Sequence, residues 1–257
     1  MSAGSGARFQ DHFSDSAPDY ALYRPRYPRS LAAWLAALAP ARRRAWDCAT
    51  GNGQAALGLA EHFDLMIASD ASAEQLRAAD RDPRVTYVRA TAEHSALAPG
   101  SIDLVTVAQA LHWLDRDAFY AEAKRVLVPG GVLAVWCYGV VSVTPSIDEP
   151  LHELYYGILG GYWPPERAHV EAAYRDLDFP FAEIEPPSMA MEEEWTLPEL
   201  VGYLGTWSAV RQYRLATGDD PIRAILPALE RAWGGRGIRQ RIEWQIGLRV
   251  GFRATGA

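Results

Sequence analysis

Trp46-Asp47-Cys48-Ala49-Thr50-Gly51-Asn52-Gly53-Gln54, with Leu65-Met66-Ile67-Ala68-Ser69-Asp70 after it, decides how the rest of the chain is read. The first stretch is an apolar strand that ends on an acid and turns on two glycines; the second is a strand that ends on another acid. Gly51 and Gly53 permit a sharp turn and a close approach of backbone to ligand, because no Cβ intervenes and a positive φ costs glycine little. Gln54, Ala55, Ala56, Leu57, Gly58, Leu59 and Ala60 read as a helix whose first N–H groups face that turn. Asp70 stands where nucleotide folds carry the acid that accepts hydrogen bonds from two vicinal ribose hydroxyls. A helix begins near Ser72, so Asp70 as its N-cap is the competing reading.

Gly51-Asn52-Gly53-Gln54-Ala55-Ala56 also satisfies the GxGxxG/A fingerprint of dinucleotide binders, which keeps a nicotinamide-dependent oxidoreductase among the alternatives. Asp47 argues against it. A carboxylate four residues before Gly51 suits a ligand with a cationic amino group and repels a pyrophosphate.

Downstream lie Ser101-Ile102-Asp103-Leu104-Val105-Thr106-Val107-Ala108-Gln109-Ala110-Leu111-His112-Trp113 and Arg125-Val126-Leu127-Val128-Pro129-Gly130-Gly131-Val132-Leu133-Ala134-Val135-Trp136. An acidic first-strand motif, an aspartate-led fourth strand and a Pro-Gly-Gly turn before the fifth resemble the class I S-adenosylmethionine-dependent methyltransferases. Phe13, Tyr20, Tyr23-Arg24-Pro25, Tyr27-Pro28, the Asp47-to-Gly58 motif, Ala108-to-Trp113 and Ala232-Trp233-Gly234-Gly235 look like the type 11 branch, with its embryo-abundant-protein-like and trans-aconitate methyltransferase-like members. Ala49 departs from the family, which usually has the first motif glycine there, and this predicts a slightly wider turn. The resemblance implies a Rossmann-like α/β fold: a mainly parallel seven-stranded sheet with an antiparallel last strand, helices on both faces and a helical cap. It further implies S-adenosyl-L-methionine as cofactor and S-adenosyl-L-homocysteine as product. A cofactor-binding protein that has lost turnover is the third alternative.

A chain of 257 residues, 49 % of them apolar, is long enough for one large domain. The expected division is an N-terminal flap and helix over 1–40, a cofactor-binding core over 41–139, a substrate-side cap over 140–235 and a final strand over 236–257. The net charge of −7, with no long basic run, argues against nucleic acid as a partner and leaves a small-molecule substrate. Cys48 and Cys137 have neither metal-ligand nor disulfide spacing, so no metal is expected and both read as free thiols of a cytoplasmic protein. No segment has the apolar length of a membrane span or signal peptide.

Leu31, Trp34, Leu35 and Leu38 recur at helical spacing between Pro28 and Ala39. Strands ending at Asp70 and spanning 84–89, with a helix from Ser72 to Ala79 between them, continue a βαβ alternation and imply a parallel sheet. The run 102–107 suits a strand buried on both faces, 116–127 a helix and 132–137 a fifth strand. Beyond Val140, helices are expected near 148–159 and 165–177, then over 197–214 and 221–233, roofing the pocket. Ile242, Trp244, Ile246, Leu248, Val250 and Phe252 alternate with Glu243, Gln245, Gly247, Arg249 and Gly251, which predicts a half-exposed antiparallel strand paired with one around 188–195.

By resemblance, Tyr20, Tyr23, Arg24 and Tyr27 form a flap in which Tyr20 and Arg24 approach the cofactor's methionine end and Tyr23 the substrate; simple packing on the next helix competes. Asp47 either contacts the ligand or braces the turn formed by Ala49, Gly51 and Gly53. Ala71 follows Asp70 at the ribose. Thr91, Ala92 and Glu93 are placed to read the adenine edge, with Glu93 as a solvated loop acid the alternative. Ala108 and Gln109 line the methionine side, chiefly through backbone. His112 is either a base for a substrate hydroxyl or an orienting residue for its loop, with Trp113 packed over the adenine. Trp136, Tyr138, Trp163, Trp207 and Tyr213 are candidates for an aromatic substrate wall, and core packing is the competing account of each. Arg211, with Arg214 one turn on, is either a receptor for an acidic substrate or part of a solvated helix face.

Overall fold

The computed structural model describes residues 25–235 and 237–255. Strand β1 (Arg44–Cys48) is buried from Ala45 onward and β4 (Ile102–Ala108) up to Val107, as apolar runs in the middle of a sheet must be. β1 pairs in parallel with β2 (Leu65–Asp70) and β4, β2 with β3 (Val85–Arg89), and β4 with β5 (Leu127–Tyr138). The crossovers carry α2 (Gln54–Leu59), α3 (Ala73–Ala78) and α4 (Arg116–Val126), with α1 (Arg29–Leu38) leading into β1. The chain starts at the centre, works out to β3, then returns beside β1 and builds the other half.

β8 (Gln240–Phe252) is the antiparallel strand that the period of two predicts, with Ile242, Trp244, Ile246, Leu248 and Val250 buried. It pairs with β5 through Val132–Tyr138, with β7 (Ala190–Trp195) through its first half, and with β6 (Ala182–Ile184). β7 is the expected partner near 188–195. β6 brings the sheet to eight strands, one more than expected; three residues leave no readable period.

The cap departs from expectation in three places. The helix expected over 148–159 begins earlier, as α5 (Pro145–His152), and widens into a π-helical turn over Glu153–Ile158 after Pro150, whose nitrogen has no hydrogen to donate. Of the helix expected over 165–177 only α6 (Arg167–Glu171) forms, because Ala173 and Tyr174 both take left-handed backbone, at φ 52° and 60°. The helix expected over 197–214 splits into α7 (Leu197–Gly205) and α8 (Ser208–Thr217), while α9 (Ile222–Trp233) matches.

Two apolar layers flank the sheet. One joins Leu31 and Leu35 of α1, Ala56 and Leu59 of α2, and Trp136 of β5 to the cap aromatics; the other joins Phe119, Ala123 and Val126 of α4 to Val135 and Cys137. The chain after β5 begins in the first layer at Ile147 and Leu151 and has reached the second by Val170 and Tyr174. Between them α6 packs on β5 and on the short turn Leu111–Trp113. The cap therefore crosses over the carboxyl ends of the strands. Among the described residues no helix is long and apolar enough to cross a membrane.

Candidate active site

The direction of strand addition reverses between β1 and β4, and open parallel sheets bind ligands beyond the carboxyl ends at such a point. Asp47, at the end of β1, is 0 % exposed. Thr50 Oγ1 donates to its Oδ2 at 2.5 Å and Thr106 Oγ1 to its Oδ1 at 2.7 Å. Burial pushes the carboxyl from 3.8 up to about 6, the two hydroxyls oppose the rise, and Asp70 adds to it. Asp47 thus ties β1, the glycine turn and β4 together and presents no surface of its own.

In the turn, Ala49, Gly51 and Gly53 all lie at positive φ (53°, 58° and 86°). The departure at Ala49 shows as strain: a side chain sits where left-handed backbone favours glycine. Thr50 N donates to Ser69 O at 2.9 Å and Gly53 N to Thr50 O at 3.0 Å, which fixes the turn against β2.

Asp70 receives Gly51 N on Oδ2 at 2.9 Å and Ser72 N on Oδ1 at 2.8 Å. Ser72, rather than Asp70, caps α3, accepting from Gln75 N at 3.3 Å. Each carboxylate oxygen has two lone pairs, so an acid held in this way can still receive a pair of hydroxyls. Ala71 is partly buried beside it, and Thr91, Ala92 and Glu93 follow β3 as exposed, buried and partly buried residues of a loop closed by a Thr91–His94 bridge. Asp47, Glu93 and Asp70 all act on Cys48, raising a thiol that burial already pushes well up. Asp70 and Glu93 near the glycine turn, with the Asp47 carboxyl buried behind it, suit the ribose and cationic groups of S-adenosylmethionine and oppose a pyrophosphate.

Ala108 ends β4 partly buried, and Gln109 follows at φ 55°. Gln109 N donates to Trp136 O at 2.8 Å, its Nε2 donates to Tyr138 O at 3.0 Å, and its Oε1 accepts from Tyr138 N at 3.3 Å. Its side chain is spent on holding two strand ends together. His112 is 8 % exposed, with Nδ1 2.8 Å from Tyr174 Oη and its ring 4.7 Å from that of Trp113. Burial first, then Arg167 and His169, bring the imidazole from 6.5 down to about 3, so it is neutral at physiological pH.

Of the aromatic wall, Trp136, Tyr138 and Trp207 are core side chains, 1 %, 5 % and 5 % exposed, and Trp163 is partly buried. Trp163, Trp207 and Tyr155 form one cluster, with ring centroids 4.7 to 5.7 Å apart. Tyr213 instead meets Tyr162 at 5.0 Å, and Tyr27 stands edge-on to Trp136 at 5.4 Å. Arg214 pairs with Asp220 at 3.0 Å on the surface, the solvated-face reading, and Arg211 is partly buried. Tyr20, Tyr23 and Arg24 lie outside the described residues. Sequence reading missed Tyr155, Arg167 and Tyr174: they meet only because the cap crosses the sheet, and no periodicity marks them.

The methyltransferase-domain family of type 11 matches residues 46–135. A Dictyostelium discoideum protein assigned as a methyltransferase is 32 % identical over 230 residues, 88 % of each chain. A solved Anaeromyxobacter dehalogenans structure, assigned as a type II methyltransferase, is 49 % identical with a TM-score of 0.87, covering 91 % of this chain and 100 % of that one. A Mycobacterium tuberculosis methyltransferase, itself uncharacterised, is 38 % identical over 128 residues, 48 % of this chain and 51 % of that one.

Proposed function

From the chain's membership of the S-adenosylmethionine-dependent methyltransferases of type 11, we propose that it transfers the methyl group to an oxygen, carboxylate or hydroxyl, of a small molecule beneath the cap. The same membership displaces the oxidoreductase alternative. The observation that carries the reading is Asp70, fixed by Gly51 N and Ser72 N at the edge of a turn surrounded by carboxylates.

In this reading Asp70 receives the ribose hydroxyls with Ala71 beside them, and the backbone of Ala49, Gly51 and Gly53 lies along the methionine moiety. Thr91, Ala92 and Glu93 flank the adenine on one side and Trp113 on another, while Ala108 and Gln109 offer backbone groups. Asp47 acts from behind, by holding the turn. When bound, the cofactor supplies an electrophilic methyl group on a leaving group that departs neutral. Little acid or base help is then required, and the protein's task is alignment and exclusion of water. His112, neutral and engaged by Tyr174, serves as a positioning residue between the cap and the end of β4. Trp163 and Trp207 close the acceptor side, with Trp136 and Tyr138 behind them. A net charge of −7 supports a small acceptor over nucleic acid, and two buried free thiols, Cys48 and Cys137, support a reducing, cytoplasmic setting.

The test is a screen of small hydroxylated and carboxylated metabolites with methyl-labelled cofactor. The reading expects S-adenosylhomocysteine to form together with a methyl ether or ester. Labelling of nitrogen or carbon acceptors alone would contradict the choice of oxygen.

A further inference from the structure

Arg167 opens α6 at the point where the cap passes over the strand ends. Its guanidinium lies 5.0 Å from the centre of the Trp163 ring and 5.5 Å from that of Tyr155, and its Nε donates to Tyr155 Oη at 2.6 Å. Tyr155 is itself 1 % exposed and sits within the π-helical turn, a distortion often found at functional sites. A guanidinium within cation–π distance of two rings and tethered through Nε is restricted in the directions its terminal nitrogens can take.

Those terminal nitrogens make no hydrogen bond and no ion pair among the described residues. Arg249 gives the contrast. It too lies over an aromatic ring, Phe179 at 4.7 Å, yet it is saturated: both oxygens of Glu183 at 2.9 Å and the carbonyls of Tyr174 and Leu177 at 2.6 Å. Arg43, Arg84, Arg125, Arg214, Arg239 and Arg241 each have a carboxylate within ion-pair distance. Glu171, one turn along α6, is not within that distance of Arg167. The helix that Arg167 opens packs on β5 and on the Leu111–Trp113 turn, and the charge lies near enough to act on His112 after β4 and on Cys137 near the end of β5.

We propose that Arg167 receives an anionic group of the methyl acceptor, a carboxylate or a phosphate, held by two hydrogen bonds from the guanidinium fork while Tyr155 and Trp163 keep the fork in place. This rests on the methyltransferase reading above and names the acceptor class within it. The fork matches two oxygens of a carboxylate or phosphate, which neither a lysine nor a neutral amide reproduces.

Calorimetry on the full chain, with and without saturating S-adenosylhomocysteine, tests it with benzoate and phenyl phosphate as probes and benzamide as the neutral counterpart. Wild type is expected to bind at least one anion about tenfold or more tightly than benzamide, the scale of a charge-assisted pair of hydrogen bonds. Arg167→Gln abolishes that preference, Arg167→Lys keeps part of it, and Tyr155→Phe weakens it by freeing the fork. Benzamide and S-adenosylhomocysteine affinities stay unchanged in all three, which also reports on folding. The more tightly bound anion tells carboxylate from phosphate. Equal binding of acid and amide by wild type, absence of anion binding, or a preference that survives Arg167→Gln overturns the proposal. If wild type fails to bind S-adenosylhomocysteine, the methyltransferase reading falls, while the acid-against-amide comparison in buffer alone still judges Arg167.

Discussion

Ala49 holds left-handed backbone at φ 53° between Asp47 and Gly51, a conformation that costs an L residue about 1–2 kcal/mol. Ala49→Gly relieves that strain and gives back part of it as unfolded-state entropy. The variant should therefore unfold in urea with a stability higher by roughly 0.5–1 kcal/mol; an unchanged or lower midpoint contradicts the strain account. Asp47 adds a pH dependence of definite sign. Its folded pKa of about 6 exceeds the ordinary 3.8, so the native state holds the proton more tightly; the stabilisation is complete below about pH 4 and is lost as pH rises through 6. Asparagine keeps an acceptor for one threonine and a donor for the other without the charge. Asp47→Asn should gain on wild type between pH 4 and pH 8 by up to about 3 kcal/mol, at roughly 1.4 kcal/mol per pKa unit, as read from urea titrations at the two pH values. A difference that does not change with pH refutes the buried-carboxyl account. The acids and glycines of this turn were legible because each type is demanded by one backbone or ligand requirement. The partners of Asp47 were not, since Thr106 lies fifty-nine positions away and no spacing rule links it to the turn.

Strands and long helices were legible where period and burial coincide, as in β4 and β8. Elements shaped by contact were not. α6 stops after five residues because the chain must turn at Ala173 and Tyr174 to reach β8, and the room for that turn is made by Gly247. A Cβ on Gly247 would stand 2.5 Å from Ala173 Cβ and 3.0 Å from its Cα, with backbone on one side and little freedom to yield. Gly247→Ala should destabilise the fold by about 1–3 kcal/mol, the usual cost of overpacking a close contact. Denaturant titration measures it, and a neutral substitution would mean that the cap is not seated on β8 as described. The same seating brings Tyr174 to His112 and, seven residues earlier in the chain, Arg167 to the strand ends, so the cap's chemistry depends on a glycine in the last strand.

On the scale of the whole molecule, the reversal of strand order between β1 and β4 gathers the sequence's separate acids, Asp47, Asp70 and Glu93, at one end of the sheet, and the cap covers that end with aromatic rings and with Arg167. In the proposed reading the acids lie beneath the cofactor, and Arg167 with the cap's aromatic rings lies above the acceptor. The acids were readable from sequence because strand-end acids recur at fixed offsets from the glycine turn. The cap cluster was not, because its residues are brought together by a crossing of the sheet rather than by any repeat. Calorimetric titration of the protein and of Asp70→Ala with S-adenosylhomocysteine, with NAD as control, tests the account most directly. The account predicts saturable binding of S-adenosylhomocysteine, none of NAD, and a loss of at least about tenfold in the variant, the cost of removing charge-assisted hydrogen bonds to two hydroxyls; no binding by wild type, or equal affinity in the variant, would contradict it.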